Sequence, residues 1–334
     1  MKRKGLDLIA WSAAVIVSLL LAFWASLPKG EDNQTKVPVI TLKPAVIAAV
    51  ELSGPGVRVV ANKMTEPLER WWISYERGVT DAAGGKGSET AESERFVASG
   101  KFRDFLVLFA PMQAIRVLGR IADEKLSDYG LKEGTKNLVL KDAQGSPLLT
   151  LTIGKQLYGG RNLYVLNQSD QKVLLIGGEL ISDFEKPELR FFERALTSLA
   201  LEDLKSGTLI HGGKTKRFVH SSRDAKGAQI WSADGSAGDP LPQVSAWFER
   251  LSQLKAATYA SDKDEEALKA LSTLFEVRLE GGGADAEVVQ LKRRGLGKDV
   301  EYWAHSSYLN RYVKVASTRA EALEKDVPQI LQDQ

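Results

Sequence analysis

Residues 274–279 read Leu-Phe-Glu-Val-Arg-Leu, an alternation of apolar and polar side chains that predicts a half-buried β-strand. Residues 137–140, Asn-Leu-Val-Leu, hold the corresponding place in an earlier part of the chain. Each stretch belongs to the same order of parts: a hairpin-like run, a tryptophan, an apolar helix, a tyrosine and several alternating strands. This internal repetition predicts that one arrangement of helices and strands occurs twice.

The repetition divides the chain into two predicted α+β units. We expect the first repeat over 45–186 and the second over 206–327, with a connecting helix over 187–205. Because the strands follow one another with few βαβ units, the sheets are predicted to be antiparallel and packed with helices. The fold class is therefore α+β, with an N-terminal transmembrane helix before two tandem repeats.

Other elements follow from the spacing and composition of the sequence. Apolar residues at intervals of three and four predict helices at 102–109, 112–126, 241–254 and 264–271. The low-complexity stretch 78–94 is predicted to be a surface loop, and residues 326–334 a polar tail.

Residues 6–27 form an apolar run with a single charge, Asp7. At about 1.5 Å of rise per residue, a helix of this length crosses a hydrocarbon core of about 30 Å. The basic residues 2–4 are expected to remain in the cytoplasm. The chain would then be anchored in the bacterial inner membrane, with its C-terminal bulk in the periplasm. Bulky residues around Trp24 favour a retained single-pass anchor over a cleaved signal peptide. A polar linker is predicted over 28–44.

Composition and charge exclude several classes of function. The 334 residues include no cysteine, which excludes disulfides, thiolate metal sites and a cysteine nucleophile. The net charge is +2, but residues 1–30 carry +3 and the remainder carries −1. A nearly neutral body lacks the basic surface with which proteins bind nucleic acid, so no nucleic-acid partner is expected.

No set of residues has the pattern of a catalytic or metal site. His211 and His220 could approach one another on neighbouring strands, but no third ligand accompanies them at a usual spacing. Residues 212–215, Gly-Gly-Lys-Thr, lack the upstream glycine of a phosphate loop and are interpreted as a hairpin turn. The carboxylates within 262–266 are interpreted as negative charge on the first turn of a helix. We therefore predict no catalytic, cofactor-binding or metal-binding residue and expect a protein that is not an enzyme.

Adjacent aromatic pairs are the candidate contacts with a partner. In a strand, neighbouring side chains point to opposite faces, so one member of each pair belongs to the core. The other is either covered by the second repeat or exposed for a protein contact. The candidate contact residues are Trp71, Trp72, Trp247 and Trp303.

Four short motifs carry a family resemblance. They are Leu-Ser-Asp-Tyr-Gly-Leu at 126–131, Leu-Thr-Leu-Thr-Ile-Gly-Lys at 149–155, Leu-Tyr-Val-Leu at 163–166 and Phe-Phe-Glu-Arg at 191–194. In their order and spacing the chain resembles DUF4340, a bacterial family of unknown function. It departs from the family at 132–134, where Lys-Glu-Gly replaces a frequent proline. The resemblance implies an anchored extracytoplasmic protein, often found with ABC-type exporters of the kind associated with gliding motility, and supplies no catalytic residues.

Three hypotheses about function follow, and the third, a hydrolase, ranks last because the sequence offers no convergent set of polar side chains. In the first, the chain is a non-catalytic accessory or scaffold subunit that contacts an ABC permease or another envelope complex. In the second, it is a periplasmic binding module for an envelope lipid or polysaccharide, with a groove between the repeats as its site. A deep aromatic groove would favour the second hypothesis, and a filled junction would count against it.

Overall fold

The computed structural model describes residues 36–66, 69–78, 92–132, 135–223, 229–235, 239–282 and 285–332. The predicted anchor 6–27 and the first part of the linker, 28–35, lie outside these residues. Among the described residues, no helix combines the length and the apolar character that crossing a bilayer requires.

The N-terminal half contains eleven strands among its described residues. They are β1 (Val37–Ile40), β2 (Ala49–Gly54), β3 (Val57–Met64), β4 (Arg70–Arg77), β5 (Glu92–Val97), β6 (Met112–Ala114), β7 (Arg116–Gly119), β8 (Lys136–Lys141), β9 (Pro147–Gln156), β10 (Leu163–Asn167) and β11 (Lys172–Ile176). Nine of them form one sheet in the order β5-β4-β3-β2-β8-β9-β10-β11-β7, and β1 pairs with β6. The helices of this half are α1 (Gly100–Val107), α2 (Glu179–Glu185) and α3 (Pro187–Arg190).

The described part of the C-terminal half contains eight strands and three helices. The strands are β12 (Leu204–His211), β13 (Lys214–Arg223), β14 (Gln229–Ala233), β15 (Ala256–Tyr259), β16 (Thr273–Gly281), β17 (Glu287–Arg294), β18 (Glu301–Ser306) and β19 (Arg311–Val315). They form a second sheet in the order β14-β13-β12-β16-β17-β18-β19-β15. The helices are α4 (Pro242–Ser252), α5 (Asp262–Lys269) and α6 (Ser317–Ile330).

The second sheet repeats the strand order of the first. Removal of the edge strand β5 leaves β4-β3-β2-β8-β9-β10-β11-β7, which corresponds strand for strand to the second sheet. The helices α1 and α4 occupy matching places in the two halves, as do α2 and α6. All strand pairs in both sheets are antiparallel, which establishes the α+β class. The exact repeat boundaries, 45–186 and 206–327, stay a prediction.

Alternating burial explains why the strands form where they do. In β16, Phe275, Val277 and Leu279 are almost fully buried, while Arg278 between them is exposed. The strand predicted at 274–279 is thus confirmed. Buried apolar side chains from both sheets belong to one contiguous cluster. The two halves therefore share a hydrophobic core across their junction.

The predicted helix at 112–126 is wrong. Met112 lies in β6, residues 116–119 form β7, and a 3-10 helix follows at Asp123–Tyr129. The apolar residues with helical spacing are divided between two clusters: Met112 joins the main core, whereas Leu118 packs in a smaller cluster. Pairing of β7 with β11 therefore overrides the local periodicity.

The predicted connecting helix over 187–205 is also wrong. Helix α3 ends at Arg190, and a 3-10 turn at Leu201–Asp203 leads directly into β12. Leu189, an apolar residue of the predicted helix, is 75% exposed. The backbone of the intervening residues bonds to strands of both sheets, so its donors and acceptors are satisfied without a helix.

At the C-terminus, the predicted polar tail 326–334 overlaps the end of helix α6. Ala320, Leu323, Val327 and Ile330 form the buried face of this helix. The many charged residues around that stripe lower its mean hydropathy and conceal it in the sequence.

Candidate functional site

Residues 191–196, the bridging segment, connect the two sheets. The backbone amide of Glu193 donates to the carbonyl of Val97, the last residue of β5, at 2.9 Å. One residue later, the carbonyl of Arg194 accepts a hydrogen bond from the amide of Ala256 in β15, also at 2.9 Å. Because β5 and β15 each lie at one edge of their sheet, this segment bonds to one edge of each sheet and joins the halves.

Tyr259 inserts from the second half into an aromatic group of the first. Its ring centroid lies 5.1 Å from that of Phe192 and 6.4 Å from that of Trp72. The hydroxyl donates to the carbonyl of Glu193 at 3.0 Å. Burial raises the pKa of Tyr259, so the phenol stays protonated and acts as a hydrogen-bond donor. This residue is a structural link between the sheets.

A cleft opens beside this link, and we call it the junction cleft. Its volume is about 820 Å³. Its walls come from β4 and β5 of the first sheet, from residues 188–194, and from the end of β15 with the start of α5. The side chains that determine its chemistry are Arg95, Glu188, Phe192, Arg194, Asp262 and Arg311. Because both halves contribute walls, the cleft depends on their mutual packing.

The first turn of α5 supplies the acidic wall. Ser261 is the N-cap of this helix, and its hydroxyl accepts the amide of Asp264 at 3.1 Å. Hydrogen bonds from Ser261 and Arg294 lower the pKa of Asp264. A hydrogen bond from Arg311 likewise lowers the pKa of Asp262. Both carboxylates are therefore ionised at neutral pH, as expected at the positive end of a helix dipole.

Three carboxylates of the cleft are matched by arginines. The ion pairs are Glu188 with Arg77 at 2.8 Å, Asp264 with Arg294 at 2.9 Å, and Asp262 with Arg311. These negative charges are therefore compensated by positive charges within the same chain.

Two exposed arginines of the cleft behave differently. The guanidinium of Arg95 lies over the ring of Trp72 at 4.9 Å, and that of Arg194 lies over Phe192 at 4.8 Å. Arg194 also donates to the carbonyl of Ala256 at 3.3 Å. Among the described residues, neither guanidinium forms an ion pair with a carboxylate. Stacking on aromatic rings holds both groups in place while their charge stays available.

The four candidate contact residues differ in position and in exposure. Trp71 is 8% exposed and packs against Phe102, on the opposite face of β4 from Trp72. Trp247 is buried in the core of the second half. Trp303 lines the cleft but is only 5% exposed.

Trp72 alone among the four is half-buried, and it lies between the two halves. Its ring contacts Tyr259 and lies beneath Arg95, so it is largely covered within its own chain. Of the two alternatives considered above, the position of Trp72 agrees with coverage by the second repeat.

The remaining candidate residues lie outside the junction cleft. His211 lies beside the hairpin turn and its Nδ1 is 2.6 Å from the carbonyl of Leu274, whereas His220 lies at the far end of β13. Gly212 and Gly213 form the predicted turn, with φ of 56° and 79°. In the part of the chain that the structure describes, no group of three histidines or carboxylates is arranged to hold a metal ion.

Sequence reasoning did not identify the two available arginines. Arg194 is noted only as part of the motif at 191–194. Arg95 follows a low-complexity stretch and belongs to no recognisable motif. An arginine two positions from an aromatic residue in the motif is a weak signal. Neither position shows which carboxylates lie nearby in the fold.

Comparison with known proteins places the chain in a family. A family model described as a domain of unknown function, DUF4340, matches residues 89–272, which is more than half of the chain. The chain therefore belongs to this family, and the resemblance inferred from its motifs is confirmed. No curated protein and no solved structure matches it significantly.

Proposed function

We propose that this chain is a non-catalytic accessory or scaffold subunit of an ABC-type exporter or another envelope complex. Residues 6–27 would hold it in the bacterial inner membrane as a single-pass anchor, with the body in the periplasm. A permease of the exporter is the partner that the family resemblance suggests.

The observation that carries this proposal is the shared core of the two sheets. Apolar side chains from both halves pack in one cluster, and the bridging segment bonds to an edge strand of each. A body joined in this way presents surfaces of both halves in a constant relation, which is what a scaffold requires. The charged groups in the junction cleft are mostly neutralised in pairs, which favours binding over catalysis.

Co-purification from membranes tests this proposal. The full chain with a C-terminal tag is solubilised in a mild detergent, captured, and analysed by mass spectrometry. An unrelated single-pass protein with the same tag is the control. We expect specific enrichment of an ABC permease or another envelope protein. If nothing is enriched beyond the control, the accessory role is refuted.

The junction cleft favours the second candidate function, a binding module for an envelope lipid or polysaccharide. Its volume of about 820 Å³ and its place between the two halves are typical of a small-ligand site. Native mass spectrometry of the full chain, purified from membranes, would reveal a co-purified lipid or glycan. An unliganded mass at every stage of purification would contradict this candidate.

A further inference from the structure

We propose that the junction cleft binds an acidic peptide segment of a protein partner and that Arg95 and Arg194 bind its carboxylates. This inference rests on the proposed accessory function, and it names the chemistry of the partner. Both arginines lie in the cleft, and neither forms an ion pair with another described residue. A guanidinium binds a carboxylate through two parallel hydrogen bonds, which makes it a selective receptor for aspartate and glutamate.

The state of the other charges directs this selectivity. Glu188, Asp262 and Asp264 are each compensated by an arginine of the same chain. The fourth carboxylate of the cleft, Glu94, accepts a hydrogen bond from the Tyr75 hydroxyl at 3.0 Å. Arg311 is the main cause of the lowered pKa of Asp262, and the charge of Arg95 contributes less. An incoming carboxylate would therefore meet two cations that are already oriented by the rings beneath them.

The aromatic surface of the cleft favours a peptide over a polysaccharide. A sugar ring is commonly held against a bare aromatic face, but Trp303 and Tyr259 are only 5% and 4% exposed. The two half-buried rings, Trp72 and Phe192, lie beneath guanidinium groups. A sugar ring would therefore compete with a guanidinium for a face of each of these rings.

The charged walls of the cleft also disfavour a lipid tail. An acyl chain in this space would remove water from the ion pairs of Asp262 and Asp264 without replacing their hydrogen bonds. A peptide backbone can supply such bonds itself. Leu189, which is 75% exposed on the cleft wall, offers an apolar contact for one side chain of the peptide.

Binding of a labelled acidic peptide tests the proposal. The probe is a fluorescein-labelled peptide that repeats Glu-Leu-Ser, and a Lys-Leu-Ser repeat is its control. Fluorescence anisotropy is measured with the full chain in detergent. We expect binding of the acidic probe alone, weakening as salt is added because the contact is ionic. Arg95→Gln and Arg194→Gln should each weaken it roughly tenfold, as expected for charge-assisted hydrogen bonds.

Arg103→Gln is the matched control, because this exposed arginine lies on α1 and does not line the cleft. It removes the same charge and should leave binding unchanged. Unchanged binding after both cleft substitutions would overturn the proposal. So would failure of the acidic probe to bind, including the case in which a polygalacturonate oligomer or phosphatidylglycerol vesicles bind instead.

A second measurement needs no variant and therefore tests the site even if the substituted chains do not fold. A photoreactive form of the acidic peptide is crosslinked to the unaltered chain, and its attachment points are mapped by mass spectrometry. We expect them within 93–95 and 188–194, and attachment elsewhere would refute the site. The co-purification experiment is repeated with a variant that carries both Arg95→Gln and Arg194→Gln. If this variant still retains the envelope partner, the cleft is rejected as the peptide site, but the accessory role is unaffected.

Discussion

Substitution of Tyr259 tests whether the two sheets behave as one body. This residue belongs to β15, but its ring packs against Phe192 and Trp72, and its hydroxyl donates to the carbonyl of Glu193. Tyr259→Phe removes the hydroxyl and keeps the ring, whereas Tyr259→Ala removes both. The pair of variants separates the hydrogen bond from the packing.

The expected magnitudes follow from burial. Tyr259→Phe leaves the Glu193 carbonyl without this donor in a site where the tyrosine is 4% exposed, at a cost of about 1–2 kcal/mol in the free energy of unfolding. Tyr259→Ala also removes the ring, which buries roughly 150–250 Å² of surface as aromatic side chains generally do. At about 25 cal/mol per Å², the lost packing costs about 4–6 kcal/mol, and with the hydrogen bond the total loss is about 5–8 kcal/mol.

Urea denaturation supplies the assay, followed both by tryptophan fluorescence and by circular dichroism. The tryptophans report tertiary packing in both halves and circular dichroism reports the sheets, so a shared core predicts coincident transitions for the unaltered chain. Tyr158→Ala is the control, since Tyr158 is fully exposed at a hairpin tip and its replacement should change stability by less than about 0.5 kcal/mol.

Two results would refute this reasoning. The first is a Tyr259→Ala variant as stable as the Tyr158→Ala control. The second is a pair of separated transitions in the unaltered chain, because independent unfolding would mean that the contacts across the junction contribute little to the free energy of either half.

Three further predictions concern the second half. Trp247→Ala should lower the free energy of unfolding by about 3–5 kcal/mol in urea titrations, because this core indole is 1% exposed, and an unchanged midpoint would contradict its core role. Gly207→Ala should destabilise by about 1–3 kcal/mol in thermal unfolding, since the added Cβ would lie 2.4 Å from Phe248, and a variant of unchanged stability would show that the ring moves freely. Hydrogen bonds from Lys314 and Arg294 lower the pKa of Glu301 to about 2, from an ordinary value of 4.5. A lowered pKa stabilises the fold above pH 4.5 and loses that effect as the pH falls towards 2. Glu301→Gln should therefore lower the free energy of unfolding by about 1 kcal/mol at neutral pH, a value reduced for solvent screening. The difference in stability between the variant and the unaltered chain should disappear in acid. A difference that does not depend on pH would exclude this ionic contribution.

The strands of both sheets were largely predictable from the sequence. Alternation of apolar and polar residues in stretches such as 137–140 and 274–279 reflects one buried and one solvated face, which is a local property of each strand. The hairpin turn at 212–215 was predictable for a similar reason, since two adjacent glycines accept the positive φ angles that a tight turn requires. Family membership also rested on motifs within these local elements.

Helices were predicted less well in two stretches whose backbone pairs with distant strands. At 112–126 and 187–205 the periodicity was helical, yet the backbone of each stretch pairs in part with strands from distant parts of the chain. Hydrogen bonds to such partners satisfy the backbone as well as a helix does, and apolar spacing alone does not distinguish the two. Burial of one face of α6 among many charges concealed a real helix in the same way.

By itself, the sequence determined the class of fold, the repetition of its parts, the absence of cysteine chemistry and the family. Each of these is a property of residues close together in the chain or of its composition. Only the tertiary structure decided that β5 and β15 meet across the bridging segment, that Tyr259 joins the halves, and that Arg95 and Arg194 share a cleft in which nearby carboxylates already have partners. Those relations depend on residues far apart in the chain, and the packing of the shared core brings them together.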